Sequence, residues 1–458
     1  MKTWNQLFTR HGFMVKEEGI NEFICWEETE ENIAFLVESL ENAFVSYKFE
    51  HGFLTIDSPV VSEETWLKGI DFKNRGRGEG LWFRPGKDEP KVKELDTYIA
   101  GVVRQLNRLG FHTMHCCDGH EKRRPSIGFV QSVNMDVVSN VLQAAGVSNF
   151  HVRSRTISLS LSRTNLLDIA ENLAVLKKEW INKGSEWIKK QLFLHELEQC
   201  LSVNGGSGNE GEIRDYVVER LSSYVDFVTV DRTGNILAQK VCGTGRGPTI
   251  LVNAHLDTVD IIEDGRKIIK EDAIWSSSQG ILGADDRAGV TILIQLAQRL
   301  EMIKFDGTVK FIFTVEEEIG LVGARNVDEY FLWGVDAAFV VDRRGAGDIV
   351  TSCGGYEAFC HQNYGVFVEQ IAKTQELEGW KCTVGGSSDT RIWSAYGIQS
   401  VNLSVGYQHE HTSEETLDVD ACYETFMLLN GVFQHGRELG RLVRELKRVE
   451  RRREMMSS

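Results

Sequence analysis

At 458 residues, 42% hydrophobic and 26% charged, the chain has the make-up of a soluble globular protein and is too long for one ordinary domain. Its 51 Lys and Arg stand against 67 Asp and Glu, a formal net charge of −16, which argues against phosphate-backbone binding, so no nucleic-acid partner is expected. No uncharged run of about 18 residues could cross a membrane, Met1 to Gln6 shows no apolar signal segment, and nine cysteines lack the spacing of a disulfide framework, so a cytoplasmic, reducing location is expected.

Residues 1–185 mix short strands and helices and read as a small α+β domain with no recognisable catalytic pattern and an open role. Val92, Leu95, Tyr98, Ile99, Val102, Val103, Leu106 and Leu109 recur at helical spacing and predict a helix over 91–109. Strands are expected at 111–116 and 126–130, a helix at 135–145, an alternating strand at 152–161 and a helix over roughly 166–188. His112, His115, Cys116, Cys117, Asp118 and His120 crowd one stretch, a density that can bind zinc, but no second Cys or His pair stands at a convincing distance. An ordinary strand and turn is the plainer reading of that stretch.

From Leu192 the texture changes. A helix through Leu197 and Leu201 ends at Asn204-Gly205-Gly206-Ser207-Gly208-Asn209, and a helix resumes over 210–221. Strands are expected at 225–231 and from Ile236, and a helix with a continuous apolar face over 288–303. Residues 190–440 read as the catalytic domain, and 441–458, where Arg and Glu crowd every face, as a charged helix end or a partner-binding tail.

Four acidic or imidazole clusters sit just after apolar runs. His255 and Asp257 follow Thr249 to Val252, Glu316-Glu317-Glu318 follows Val309 to Val315, Asp342 follows Ala337 to Val341, and His409-Glu410-His411 follows Val401 to Val405. Gly283-Ala284-Asp285-Asp286 supplies a fifth cluster. Ligands of open α/β sheets bind at the carboxyl ends of strands, so these clusters can converge. Imidazole and carboxylate donors without Cys suit a catalytic divalent ion, and such a set fits two ions about 3.5–4 Å apart. Asp257, two residues beyond His255, leaves the same face of an extended chain and could accept the second ring N–H of His255. Of two adjacent glutamates, one can bind metal while the other takes a proton from water.

These elements resemble the co-catalytic zinc exopeptidases of metallopeptidase clan MH, in the lid-free aminopeptidase-type branch, over about residues 192–433. The matching stretches are Asn-Ala-His255-Leu-Asp257-Thr, Gly-Ala-Asp285-Asp286-Arg-Ala-Gly, Glu317-Glu318-Ile-Gly-Leu-Val-Gly-Ala, Val-Val-Asp342 and His411-Thr-Ser-Glu-Glu. Ser207-Gly208-Asn209-Glu210 and the turn from Asp231 to Asn235 also resemble the clan's entry region. The resemblance implies an α/β fold, with a mixed, mostly parallel sheet between helices in the zinc-exopeptidase domain. It implies two zinc ions, replaceable by cobalt or manganese. His255 and Asp342 would hold one, Glu318 and His411 the other, and Asp285 would bridge, with Glu317 as general base, Asp257 beside His255 and a cis peptide at Asp285–Asp286.

Only 69 residues separate Asp342 from His411 and 28 separate Asp257 from Asp285, which leaves no room for the domain that relatives insert at either place. Where relatives often carry a Tyr before the last ligand His, this chain has Glu410, so Tyr407 or His409 would have to substitute. His409 is an alternative ligand to His411. In Gly385-Gly386-Ser387-Ser388-Asp389-Thr390-Arg391, Asp389 and Arg391 are candidate substrate contacts, as are Tyr407, Arg343 and Arg344, although a solvent-facing Arg391 is as good a reading. Cys353, Cys360 and Cys382 read as buried small hydrophobes.

The expected activity is a zinc-dependent exopeptidase, an aminopeptidase hydrolysing N-terminal peptide bonds. Two alternatives stay open: an N-acyl amino acid deacylase of the same clan, and a catalytically silent binding module. The expected partners are a peptide or N-acyl amino acid substrate, no nucleic acid, no membrane, and conceivably further copies of the chain.

Overall fold

In the computed structural model, residues 2–73, 75–76 and 89–457 are described, with side chains through 449. The chain forms two compact units, Met1–Leu192 and Phe193–Ser458, with the division falling inside the helix Ser185–Leu201. Among the described residues no helix is long and apolar enough to cross a membrane.

The first unit contains two four-stranded antiparallel sheets and six α-helices among its described residues, before the helix that straddles the boundary. Its core is aromatic at one end: Trp66 and Phe8 are fully buried with ring centroids 5.6 Å apart, and Phe23 meets Phe8 edge-on at 5.2 Å.

Three sequence expectations change here. The helix expected over 91–109 is a short 3-10 turn, Val92–Glu94, then an irregular stretch, then Ala100–Arg108. The buried Arg75 guanidinium takes the carbonyls of Ile70, Val92 and Leu95, withdrawing two acceptors that a continuous helix would use. The strand expected over 152–161 is a hairpin, Phe150–Arg153 and Thr156–Leu159, turned at Ser154 with φ +54°. The helix expected over 166–188 stops at Val175, and a new one starts at Ser185 after Gly184 at φ +93°.

Arg10, 3% exposed, joins Glu63 at 2.6 Å, Asp168 at 2.5 Å and Glu171 at 3.1 Å. Burial alone would raise the Glu63 carboxyl, but hydrogen bonds from His11 and Arg10 hold it down at about 2. Glu63 therefore contributes stability above its ordinary value near 4.5, and that contribution is lost as pH falls toward 2. The first unit is expected to lose tertiary structure over this acid window, followed by near-ultraviolet circular dichroism, and Glu63→Gln should flatten the pH dependence there.

The second unit is built on a nine-stranded mixed sheet between helices. Its four central strands, Gly307–Thr314, Thr249–His255, Ala337–Arg343 and Gln399–Ser404, run parallel in that order. Antiparallel pairs flank them: Ile236–Cys242 beside Gly307–Thr314, and Asp348–Cys353 beside Gln399–Ser404. Val, Ile, Leu, Ala and Phe predominate in three of the central strands because both faces are covered, while Gln399–Ser404 carries Ser400 and Asn402 as buried polar residues. One covering helix, Ala284–Arg299, is buried over most of its length. Parallel strands end on the same side, so the residues after each one come together.

Candidate metal-dependent active site

His255 ends the strand Thr249–His255, paired with Thr314 on the neighbouring strand, which delivers the Glu316-Glu317-Glu318 turn beside it. Both imidazole nitrogens are committed. Nδ1 stands 3.0 Å from the Asp257 main-chain oxygen and 3.4 Å from its carboxylate, while Nε2 faces Asp285 Oδ1 at 3.0 Å and Asp342 Oδ1 at 3.5 Å. The nearer partner on the far side of the ring is thus the Asp257 carbonyl rather than its carboxylate.

The Asp257 carboxylate instead accepts the main-chain N–H groups of Glu317 at 2.9 Å and Glu318 at 3.1 Å, with the Ser207 hydroxyl at 2.7 Å. Glu210 accepts the N–H of Glu316, whose φ of +53° turns the chain at the strand end. Ser207 and Glu210 belong to a glycine-rich turn far away in sequence, where nothing but the resemblance pointed to them.

Asp285 stands between the two histidines: Oδ1 faces His255, and Oδ2 faces His411 Nε2 at 3.2 Å. Burial alone would raise its pKa, yet hydrogen bonds from His255 and His411 hold it below the usual carboxylate range. Its main chain is fixed by Glu415, which accepts the N–H of Asp285 at 3.0 Å and of Gly283 at 2.7 Å. The Asp285–Asp286 peptide is cis. Asp286 points away from His411: its carboxylate accepts the His255 main-chain N–H at 3.1 Å and the Gly289 N–H at 3.0 Å. Asp286 and Glu415 both lie in stretches that the sequence singles out, but the sequence assigns neither of them a role.

His411 Nε2 also lies 2.9 Å from Glu318 Oε2, and its pKa rises to about 9 through its hydrogen bond to Asp285. Glu318 Oε1 is buried with no hydrogen-bond partner. Burial, with like charges nearby, pushes Glu318 up to about 7 and Glu317 up to about 10. Two groups of donors, His255-Asp285-Glu318 and His255-Asp286-Asp342, each have ligand atoms within 4.8 Å of one another. Clustered buried carboxylates, with Glu318 Oε1 unpartnered and two imidazoles beside them, fit the donor set of a divalent cation, whose charge would offset theirs.

The cavity beside these residues measures about 190 Å³ and is lined in part by Glu317, Glu318, Arg343, Arg344, Tyr407 and Glu410. Tyr407 is buried, and its hydroxyl donates to Asp342 Oδ1 at 3.0 Å. If Asp342 holds an ion, as the resemblance implies, removing that hydroxyl with Tyr407→Phe should weaken metal retention or activity by about 10–100-fold, as loss of a ligand's supporting hydrogen bond commonly does. Dialysis against a chelator, with residual metal measured against wild type, checks it.

Glu410 pairs with Arg344 at 2.9 Å, while its Oε2 is buried without a hydrogen-bond partner. His409 is exposed and absent from the cavity wall, so the expectation that it might line the site, or replace His411, is not met by the geometry. Two candidate substrate contacts also fall away. Arg391 is drawn into an ion pair with Glu357 at 2.8 Å and does not line the cavity. Asp389 is buried 2.5 Å from the Thr314 hydroxyl, beneath the site rather than in it. Cys353 is buried and Cys360 and Cys382 partly so, all as free thiols outside the donor groups.

Residues 270–428 match the model of the M42 glutamyl aminopeptidase family, which is metal-dependent. A putative aminopeptidase from Acetivibrio thermocellus is 24% identical over 51% of this chain and 96% of its own length. The protein YqjE of Bacillus subtilis is 29% identical over 31% of this chain and 40% of its own length, and peptidase T of Clostridium botulinum 28% over 35% and 43%. Among solved structures, the aminopeptidase PepT from Bacillus cereus covers 54% of this chain and 99% of its own at 20% identity, with a TM-score of 0.49. The carboxy-terminal half of this chain is therefore a peptidase, similar over residues 270–428 to the M42 glutamyl aminopeptidases.

Proposed function

We propose that the chain is a di-metal aminopeptidase in which Glu317 is the general base. The observation that carries this reading is the convergence of His255, Asp285, Glu318, Asp342 and His411 around one cavity, with Glu317 on its wall. His255 and Asp342 would hold one zinc, Glu318 and His411 the other, with Asp285 shared between them. When bound, such ions polarise the scissile carbonyl and acidify water, lowering its pKa toward about 7.

Glu317 takes a proton from the attacking water and passes it to the leaving amine. Its main-chain N–H is held by Asp257, which fixes where the side chain leaves the turn beside the cavity. The unpartnered Glu410 oxygen supports capture of a free substrate amine, which fits cleavage from the amino end.

A second reading, N-acyl amino acid deacylation, draws support from Arg343 and Arg344 on the same wall, since a guanidinium suits a substrate carboxylate. A panel of aminoacyl and N-acyl amide substrates, run alongside metal analysis, tests the proposal. Cleavage of aminoacyl substrates with about two zinc ions per chain is expected. Cleavage confined to N-acyl substrates would move the assignment to a deacylase, and properly folded protein that binds no metal would overturn it.

A further inference from the structure

We propose that Asp96, Cys117, Asp118 and His120 form a divalent transition-metal site in the first unit, separate from the peptidase centre. Cys117 ends the strand Thr113–Cys117, Asp118 and His120 follow in the turn beyond it, and Asp96 comes from the irregular stretch ahead of the helix Ala100–Arg108. One ligand atom from each of the four lies within 4.8 Å of every other. Specifically, His120 Nε2 is 3.5 Å from Asp96 Oδ2, and His120 Nδ1 is 3.3 Å from Asp118 Oδ1. Neighbouring donors of a tetrahedral zinc stand roughly 3.5 Å apart; one ring nitrogen ligates one ion, so the half-exposed His120 ring would turn to present a single nitrogen beside both carboxylates.

An ordinary turn accounts for part of this cluster. Asp118 Oδ1 accepts the His120 N–H at 2.9 Å, and Asp96 Oδ2 accepts the Asp118 N–H at 3.0 Å. It does not account for Asp96 Oδ1. Asp96 is only 5% exposed, and this oxygen is buried with no hydrogen-bond partner. Leaving a carboxylate oxygen so placed costs free energy unless a cation or a donor meets it.

Gly76, at φ +78°, packs its main chain against this carboxylate without giving it a donor: a Cβ there would fall 1.7 Å from Asp96 Oδ1, so only glycine fits beside it. The nearby Arg75 guanidinium spends its donors on the carbonyls of Ile70, Val92 and Leu95 and gives none to the carboxylate. The Gly119 main-chain N–H points at Cys117 Sγ at 3.4 Å. Burial, with the Asp96 and Asp118 carboxylates nearby, raises the Cys117 thiol, so a thiolate there needs a cation beside it.

One soft sulfur, one imidazole and two carboxylates suit zinc, cobalt or ferrous iron rather than magnesium or calcium. His120 is 44% exposed, which leaves a way in for the ion. The donors arrive from one short turn and one distant loop. Sequence spacing shows three of the four ligands but cannot show that Asp96 closes the set.

Cobalt(II) is the probe, because a thiolate ligand gives it a near-ultraviolet charge-transfer band that the sulfur-free peptidase donors cannot produce. The full-length, reduced protein saturated with cobalt should show this band. Cys117→Ser should abolish it, while Cys116→Ser and Glu318→Ala should keep it. His120→Ala, at a half-exposed position, should weaken cobalt binding to the band-producing site by at least about tenfold, and it serves if the Cys117 variant misfolds. The absence of any charge-transfer band, or a band that survives Cys117→Ser, would overturn the site. So would unchanged cobalt affinity in His120→Ala.

Discussion

Glu317→Gln is expected to lower kcat on aminoacyl substrates on the order of 10³-fold while metal content stays at the wild-type level. The substitution keeps the shape of the side chain, and the N–H that holds residue 317 to Asp257 belongs to the main chain, so the turn survives. What is lost is the ability to accept a proton at a site where burial already makes a charged carboxylate costly. A base that acts only in the transition state, as proposed for Glu317, predicts that KM moves far less than kcat. Steady-state kinetics with metal analysis on the same preparation reads both quantities. Equal loss of metal and activity would instead make Glu317 a ligand.

Asp285→Asn is expected to be at least as damaging to activity, by a different route: metal retention itself should fail. Asp285 presents one oxygen to each histidine, at 3.0 and 3.2 Å. An amide keeps the outline but turns a donor toward a position meant for a cation and removes the negative charge shared by both ions. Metal should fall from about two per chain to below about one. Added zinc should raise the melting temperature of wild type by mass action, and that of the variant much less. A variant that binds zinc with unchanged stoichiometry would show that Asp285 is not the shared ligand.

The placement of His255, Asp342 and Glu317-Glu318 was legible in the sequence because each ends or follows a largely apolar run of the kind that both-face burial in a parallel sheet favours. Strand order then does the rest, since neighbouring parallel strands end together. Arg391 was not legible. It lies close to the glycine-rich segment in sequence, but its direction is decided by Glu357, on an edge strand 34 residues earlier. The same limit explains the misjudged helix over 91–109. Apolar spacing there fits both a helix and a buried irregular segment, and the choice falls to Arg75, whose capture of two carbonyls is a tertiary fact. Ser154 shows the local version: alternation alone gives no sign that one residue will adopt a left-handed turn.

Asp257 sits where several parts of the site are joined. Its main-chain oxygen meets His255, its carboxylate holds the turn carrying Glu317 and Glu318, and Ser207 ties it to the start of the unit. In the proposed mechanism, ion capture and proton transfer would therefore share one mechanical anchor, and damage there would not be divisible. Once Asp257 is gone, further replacing Glu317 should cost much less than it does in wild type, because the second loss falls on a base already out of position. Selection on this loop would then act on the pair rather than on either residue: a lineage that lost the anchor would gain little by keeping the base.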